Sequence, residues 1–229
     1  MKGLDAVLNN SPGKRPVFRN YFWAGTFAVV LACALLFLLG GNNWNPIVYD
    51  RSHRWSDGLY FAPLFYGFLQ SFGHSNLQHM LLNMLCFLIV GLYLERRTGT
   101  LKLLLLVIVF AFLSTGITAA NSGGVGSIGY SGVNFAFYFY IIVEFISLAA
   151  RKETRNKQNM ILGALILALI YLAMCFNGGT MSFGFEWYPY DLLHNMGHTG
   201  GAFAGIVVGL IVQVAKLQTE KKNSASCGK

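Results

Sequence analysis

Six apolar stretches, each long enough to cross a bilayer, alternate with shorter polar connections along this chain. A membrane-crossing helix needs about 20 predominantly apolar residues, and such runs occur at residues 21–39, 77–94, 101–120, 131–150, 160–176 and 192–215. With 55% hydrophobic and only 11% charged residues, the composition is typical of a polytopic membrane protein and not of a soluble domain. The pattern predicts an all-α membrane protein, a bundle of six transmembrane helices.

The basic residues between these spans predict how the bundle is oriented. The net charge is +8, and apart from Arg51 and Arg54 every Lys and Arg precedes span one or follows span two, four or six. By the positive-inside rule both termini are cytoplasmic. The predicted domains are a cytoplasmic N-terminal segment (1–20), a six-span domain (21–216) and a cytoplasmic tail (217–229), with no removable signal peptide. The basic residues form no aromatic-interleaved face, so the lipid bilayer is the expected partner and nucleic acid is not.

Three polar residues lie at one depth in the predicted bundle. Spans two, four and six all run from outside to inside, and His79, Ser131 and His198 lie in their first turns. At about 1.5 Å per residue, all three are within roughly 10 Å of the external surface. Ser131 stands in Gly129-Tyr130-Ser131-Gly132, where a glycine-rich loop enters an apolar helix. Because a serine becomes nucleophilic only when a base takes its proton, and histidine is the usual base, the shared depth indicates a serine-histidine site.

Small residues on spans four and six predict which histidine serves as the base. Residues of this kind spaced four apart let helices approach to backbone contact. They are Gly132 and Ala136 on span four, and Gly201 and Gly205 on span six. His198 lies three residues before Gly201 on the same face, so we expect span six to bring His198 to Ser131.

Acyl transfer by a serine also needs hydrogen-bond donors for the developing oxyanion. His79 and Asn83 are four residues apart on span two and share one helix face at that depth. The backbone N–H of Ser131 is a third candidate, because N–H groups at a helix start lack partners. Glu144 lies roughly 20 Å further along span four and is expected to pair with Arg151 or another basic residue of the inner loops. The residues therefore predict a Ser-His dyad without an acidic third member.

Taken together, these segments resemble the rhomboid family of intramembrane serine proteases. The resemblance rests on three motifs in this order: His74-x4-His79-x3-Asn83 in span two, Gly129-Tyr130-Ser131-Gly132 at the start of span four, and His198 followed by Gly201 and Gly205 in span six. The turn Glu95-Arg96-Arg97-Thr98-Gly99 resembles the family as well. The implied fold is a rhomboid-like six-helix bundle.

The resemblance also implies a role for each site residue. Ser131 is the nucleophile, His198 is the general base, and His79 and Asn83 stabilise the oxyanion. Phe135 stands where the family often has an aromatic ring packed on the catalytic histidine. The implied substrate is a transmembrane segment of another protein, cut near the outer face without a metal or an organic cofactor. The expected location is the cell membrane, most simply a bacterial plasma membrane, with an organelle membrane as the alternative.

Two other functional hypotheses stay open at this point. The first is a rhomboid-like protein that binds transmembrane helices without cutting them, and the second is a transporter or scaffold in which the polar residues only bond neighbouring helices. One departure from the family pattern is that Phe65-Tyr66 replaces the Trp-Arg pair that many members carry in the first external loop. His74 points off the helix face of His79 and is interpreted as structural. His194, four residues before His198, is interpreted as a structural neighbour, with a place on the face of His198 as the alternative.

Overall fold

The computed structural model of this chain describes residues 23–52, 65, 68–74, 76–122, 129–150, 163 and 196–227. These residues form five long helices: α1 (Ala24–Ser52), α2 (Leu77–Thr98), α3 (Thr100–Ser122), α4 (Ser131–Ala150) and α5 (Met196–Cys227). Helices α1 to α4 correspond to predicted spans one to four, and α5 corresponds to span six. The predicted fifth span, at 160–176, lies outside the described residues apart from Gly163. The all-α prediction is confirmed.

Within the described residues, four segments are long and apolar enough to cross a membrane. They are Leu77–Thr98, Thr100–Ile117, Ser131–Leu148 and Gly197–Glu220, and a shorter apolar segment, Ala24–Leu39, lies in α1. Apolar side chains also cover the outside of the bundle, as Leu81, Leu105 and Ile211 are each more than half exposed. Such an outer surface is stable where lipid covers it. The six-span count and the cytoplasmic termini stay predictions.

Two helices extend further than the apolar runs predicted. Span one was predicted to end at residue 39, whereas α1 continues to Ser52. The glycines after Leu39 disfavour a helix by only about 1 kcal/mol each, which is too little to end one by itself. Helix α5 continues past 215 to Cys227 because the residues that follow, rich in Lys, Gln and Glu, are good helix formers.

The carboxylate of Glu95, near the end of α2, holds the start of α1. It accepts hydrogen bonds from the backbone N–H of Gly25 (2.9 Å) and from the N–H (2.9 Å) and hydroxyl (2.6 Å) of Thr26. The hydroxyl of Thr100, at the start of α3, also donates to Glu95 (2.6 Å). A carboxylate at a helix start pairs N–H groups that have no intrahelical partner and favourably meets the helix dipole. The Glu95 side chain therefore connects the end of α2 to the starts of α1 and α3 by hydrogen bonds.

Helices α4 and α5 meet at backbone contact. A Cβ atom added at Gly201 would overlap the carbonyl oxygen of Gly132 and lie 2.8 Å from its carbonyl carbon. At Gly205 an added Cβ would overlap the carbonyl oxygen of Ala136 and lie 2.9 Å from its carbonyl carbon. Contacts this close are possible only for glycine, because the opposing atoms belong to backbone and cannot rotate away. They bring the N-terminal ends of α4 and α5 together.

Aromatic side chains fill the centre of the bundle next to Ser131. Phe87, Phe110, Tyr130 and Phe137 are all fully buried. The Phe87 and Tyr130 rings meet edge to face at 5.0 Å, and the Phe110 and Phe137 rings do so at 4.8 Å. Edge-to-face pairs of this kind are favourable beyond the area they bury. This packing gives the start of α4 a defined position between α2 and α3.

At the opposite end of α4, Glu144 contacts basic residues from two other helices. Its Oε1 lies 3.4 Å from Nη2 of Arg97, at the end of α2, and 3.2 Å from Nζ of Lys216, on α5. The partner named first from the sequence, Arg151, lies outside the described residues. The contacts place Glu144 far from Ser131, as its position thirteen residues later in the helix requires.

Candidate active site

Ser131 and His198 lie side by side at the N-terminal ends of α4 and α5. The distance between Oγ of Ser131 and Nε2 of His198 is 2.9 Å, which is a hydrogen bond. Ser131 is the first residue of α4 and is 5% exposed, and His198 is the third residue of α5. The Ser131 hydroxyl donates this bond when Nε2 carries no proton. In that tautomer the imidazole is placed to take the serine proton.

The imidazole of His198 is stacked on an aromatic ring. The ring centroids of Phe135 and His198 are 4.3 Å apart, and the planes differ by 23°. Phe135 is four residues after Ser131, so both side chains belong to one face of α4. Stacking against a buried ring restricts rotation of the imidazole and keeps Nε2 directed at Ser131.

Gly129 allows the chain to pass close to His79 just before Ser131. Its φ is +123°, a conformation that residues with a side chain rarely adopt. A Cβ atom added there would lie 2.7 Å from Nε2 of His79. The N–H of Gly129 donates to the carbonyl of Gln70 at 3.1 Å, which holds the loop in place. The first glycine of the Gly-Tyr-Ser-Gly motif is therefore needed both for its conformation and for space.

Asn83 points its amide nitrogen at the same part of the loop. Helix α2 begins at an N-cap in which the Asn76 side chain accepts from the N–H of His79 at 2.8 Å, and Asn83 follows one turn later. Its side chain is 2% exposed, and Nδ2 lies 3.6 Å from the Cβ position of Gly129. Among the described residues, Nδ2 of Asn83 has no hydrogen-bond partner. It is a buried donor beside the loop that leads to Ser131.

A further polar residue, Asn134, was not singled out from the sequence. It lies on α4 three residues after Ser131 and is fully buried. Its Nδ2 donates to the backbone carbonyl of Asn83 at 3.0 Å and to Oδ1 of Asn83 at 3.2 Å. The signal in the sequence is a lone amide in an apolar span, at a spacing that shares a helix face with the serine.

His74, the first histidine of the span-two motif, packs beside the site. It is 2% exposed, and its ring meets the His79 ring edge to face at 5.3 Å. Burial, with a smaller contribution from the charge of His79, lowers the pKa of His74 to about 3. His194 and Tyr66 lie outside the described residues, and Phe65 is 42% exposed.

The buried state of His74 predicts a loss of stability in acid. Native His74 stays neutral between pH 8 and pH 5, whereas in the unfolded chain, with a pKa near 6.5, it takes up a proton over this range. Because the unfolded state then binds more protons, the free energy of unfolding should fall by about 2 kcal/mol between pH 8 and pH 5. Unfolding titrations in detergent micelles at these two pH values measure the loss. In His74→Gln the free energy of unfolding should fall by about 2 kcal/mol less than in the native protein over the same pH range. Equal losses in both proteins would contradict the assignment of a buried, neutral His74.

The carboxylates that the described residues place in the bundle lie away from the serine. Glu95 follows Asn83 by twelve residues and Glu144 follows Ser131 by thirteen, which is roughly 20 Å along each helix. Within the segments that the structure describes, no three His, Cys, Asp or Glu side chains converge as metal ligands would. The chemistry of the described site is thus that of a hydroxyl, imidazoles and amides.

Comparison with known proteins identifies the family of this chain. A model of the Rhomboid domain family matches residues 64–214, which include every residue of the site described above. The chain belongs to the rhomboid family. The resemblance stated from the three motifs is therefore confirmed. The proteins to which this chain is related are rhomboid proteases of membranes.

Several curated relatives carry the same name. The chain is 24% identical over 206 residues to "Rhomboid protease GlpG" of Salmonella newport (strain SL254), and the alignment covers 87% of this chain and 65% of that protein. The same values hold for the proteins of that name from Salmonella typhimurium (strain LT2) and Salmonella choleraesuis (strain SC-B67). The chain thus spans slightly less than two thirds of the length of these relatives. With its apolar helices, this rhomboid chain is a multi-pass protein of the bacterial cell membrane, as predicted.

Proposed function

We propose that this chain is an intramembrane serine endopeptidase that cuts transmembrane segments of other membrane proteins near the outer face of the bilayer. The observation that carries the proposal is the 2.9 Å hydrogen bond between Oγ of Ser131 and Nε2 of His198. It occurs in a chain of the rhomboid family, and the curated relatives described above are named rhomboid proteases. A buried serine hydroxyl paired with an oriented imidazole has the geometry of an activated nucleophile.

In the first half of the reaction, Oγ of Ser131 attacks the carbonyl carbon of the scissile bond while Nε2 of His198 takes the hydroxyl proton. The substrate carbonyl becomes a tetrahedral oxyanion. As the C–N bond breaks, the imidazolium returns the proton to the leaving amine, and an ester on Ser131 remains. Phe135 keeps the imidazole plane in place through both transfers.

In the second half, Nε2 of His198 removes a proton from water, which attacks the ester carbonyl. Collapse of the second tetrahedral intermediate breaks the bond to Oγ of Ser131, which takes the proton back from His198, and releases the carboxylic acid, which then loses its own proton to water. The base alternates between neutral imidazole and imidazolium, so a dyad completes the cycle. Glu95 and Glu144, on the described helices, lie roughly 20 Å along their helices from Asn83 and Ser131.

The proposed oxyanion donors come from the residues around Gly129. The Ser131 N–H begins α4, where backbone donors lack intrahelical acceptors. Nδ2 of Asn83 is buried beside the Gly129 loop, and the His79 ring contacts the same loop. Donors fixed before the reaction in a site of low water content stabilise developing charge more than mobile water does.

The position of the serine favours a membrane-embedded substrate. Ser131 begins a helix that is apolar enough to cross the membrane, and its side chain is buried. A peptide bond in a helical segment becomes open to attack only where the helix unwinds locally. We therefore expect cleavage near helix-disfavouring residues, because glycine and proline weaken helices most.

Cleavage of a single-pass reporter in proteoliposomes tests the proposal. The native chain should release the two fragments and react with a fluorophosphonate probe, and Ser131→Ala should do neither. Ser147→Ala is the matched control, because it makes the same change on the same helix sixteen residues away and should retain native activity.

The same experiment separates cleavage from helix binding without cleavage. If the chain only binds transmembrane helices, the native protein will co-purify with uncut reporter and will not label. Ser131→Ala should bind the reporter equally well under either hypothesis. Absence of both labelling and cleavage in folded native protein would therefore overturn the proposed proteolysis.

A further inference from the structure

We infer that Asn134 is a positioning residue that sets which end of the Asn83 amide faces the oxyanion. This inference rests on the proposed function, in which Asn83 is an oxyanion donor. An asparagine side chain presents a donor at one end and an acceptor at the other, in nearly the same shape. Only the Nδ2 end stabilises an oxyanion, whereas Oδ1 in the same place would repel it. The site therefore requires a contact that distinguishes the two ends.

The backbone carbonyl of Asn83 supplies the first part of that contact. It lies 3.0 Å from the Asn134 side chain, and a carbonyl oxygen can only accept a hydrogen bond. Asn134 must therefore turn Nδ2 toward it. In the opposite orientation, Oδ1 of Asn134 would face the backbone carbonyl oxygen and Oδ1 of Asn83, and contacts between buried acceptors are unfavourable. The orientation of Asn134 is thus determined by an atom that cannot rotate.

The same nitrogen then determines the orientation of the Asn83 side chain. Nδ2 of Asn134 lies 3.2 Å from Oδ1 of Asn83, so a donor meets an acceptor. If the Asn83 amide were turned over, two NH₂ groups would face each other and this hydrogen bond would be lost. The amide nitrogen of Asn83 is consequently directed away from Asn134.

The directed nitrogen has no hydrogen-bond partner among the described residues. Nδ2 of Asn83 is buried and lies 3.6 Å from the Cβ position of Gly129, two residues before the serine. A buried amide nitrogen without a partner is costly in a folded protein and calls for a functional explanation. A substrate oxyanion that arrives during the reaction would satisfy it.

The position of Asn134 connects the two halves of the site. It is fully buried on α4, three residues after Ser131, and reaches across to α2. The helix that carries the nucleophile therefore also orients a donor on the neighbouring helix. The distance from Ser131 to the oxyanion donor is held by this hydrogen-bonded bridge between α4 and α2, and not by α2 alone.

Asn134→Leu tests the inference, since leucine is similar in size and offers no hydrogen bond. We expect kcat for reporter cleavage to fall by at least about 10-fold, but by no more than the roughly 100- to 1000-fold expected for Asn83→Ala, which removes the donor outright. KM should change by less than about twofold, because the donor acts on the oxyanion and not on bound substrate. Asn134→Ala is measured in parallel, in case leucine disturbs folding.

A double-mutant cycle distinguishes positioning from packing. In the Asn83→Ala background, the change at Asn134 should have no further effect on kcat, because no amide is left to orient. Gln213→Leu is the matched control: it removes another amide of 4% exposure, on α5 away from the site, and should leave kcat unchanged. Thermal unfolding of each variant identifies any general loss of fold.

The outcomes separate this inference from the proposed function. Native kcat in folded Asn134→Leu and Asn134→Ala, with a slow Asn83→Ala, would overturn the inference and leave the proposed oxyanion site intact. Additive losses in the double mutant, or an equal loss in Gln213→Leu, would also overturn it. Native kcat in Asn83→Ala would instead remove Asn83 from the proposed oxyanion site.

Discussion

Replacing His198 with alanine should lower the rates of reporter cleavage and of fluorophosphonate labelling by on the order of 10⁴-fold or more. The reason is that a serine hydroxyl is a weak nucleophile unless a base takes its proton as it attacks. In this chain the base accepts the proton across a single 2.9 Å hydrogen bond from Ser131. Labelling rates of purified protein in micelles measure the effect without a substrate.

Two controls make the role of His198 specific. Added imidazole should restore part of the labelling of His198→Ala, because a space for an imidazole remains beside the Phe135 ring. Phe135→Leu should lower the rate much less, by about 10-fold, since it loosens the imidazole without removing the base. Native labelling of His198→Ala would show that another group activates Ser131.

Replacing Gly201 with valine should lower the rate of cleavage by about 100-fold or more while the protein still inserts into the membrane. The added side chain would overlap the carbonyl oxygen of Gly132, one residue after the serine, so α4 and α5 must separate where the dyad forms. A displacement of about 1 Å in a catalytic contact costs about 100-fold in rate, and forcing bulk into a close-packed contact lowers stability by roughly 1–3 kcal/mol. Cleavage rate and the thermal midpoint should fall together.

Phe203→Val is the matched control for this prediction. It places the same residue on the same helix two positions later, where the side chain is 58% exposed on the outside of the bundle. We expect native cleavage and a thermal midpoint close to that of the native protein. Retained activity in Gly201→Val would contradict the importance of backbone contact between α4 and α5.

Much of the helix arrangement could be predicted because it depends on local pattern. Uninterrupted apolar runs of about 20 residues predict membrane helices directly, and those at 77–94, 101–120 and 131–150 correspond to α2, α3 and α4 within a few residues. The end of α1 was predicted at the glycines after Leu39, whereas the helix extends to Ser52. The position of a helix end depends on small differences in the free energy of capping and helix propensity, which a drop in hydrophobicity along the sequence does not reveal.

The partners of buried polar side chains were harder to predict. Glu144 was expected to pair with Arg151 or another basic residue of the inner loops. Its described partners, Arg97 on α2 and Lys216 on α5, are of that kind, but the sequence did not indicate which of these residues they would be. Asn134, which the sequence did not single out, donates a hydrogen bond from α4 to the backbone carbonyl of Asn83 on α2. In each case the contact joins residues that are distant in the chain, and no spacing rule within one helix predicts it.

The sequence by itself determined the family and the described membrane helices, and it predicted a common depth for the polar residues. Depth follows from counting residues along a helix, since each residue adds about 1.5 Å of rise. The tertiary structure decided which polar atoms meet, because that depends on how each helix is rotated and how closely it approaches its neighbours. Because Gly201 has no side chain, α5 approaches α4 closely enough to bring His198 to Ser131. The backbone carbonyl of Asn83 orients the amides of Asn134 and Asn83. Those distances arise from packing between helices, which residue spacing along one helix does not specify.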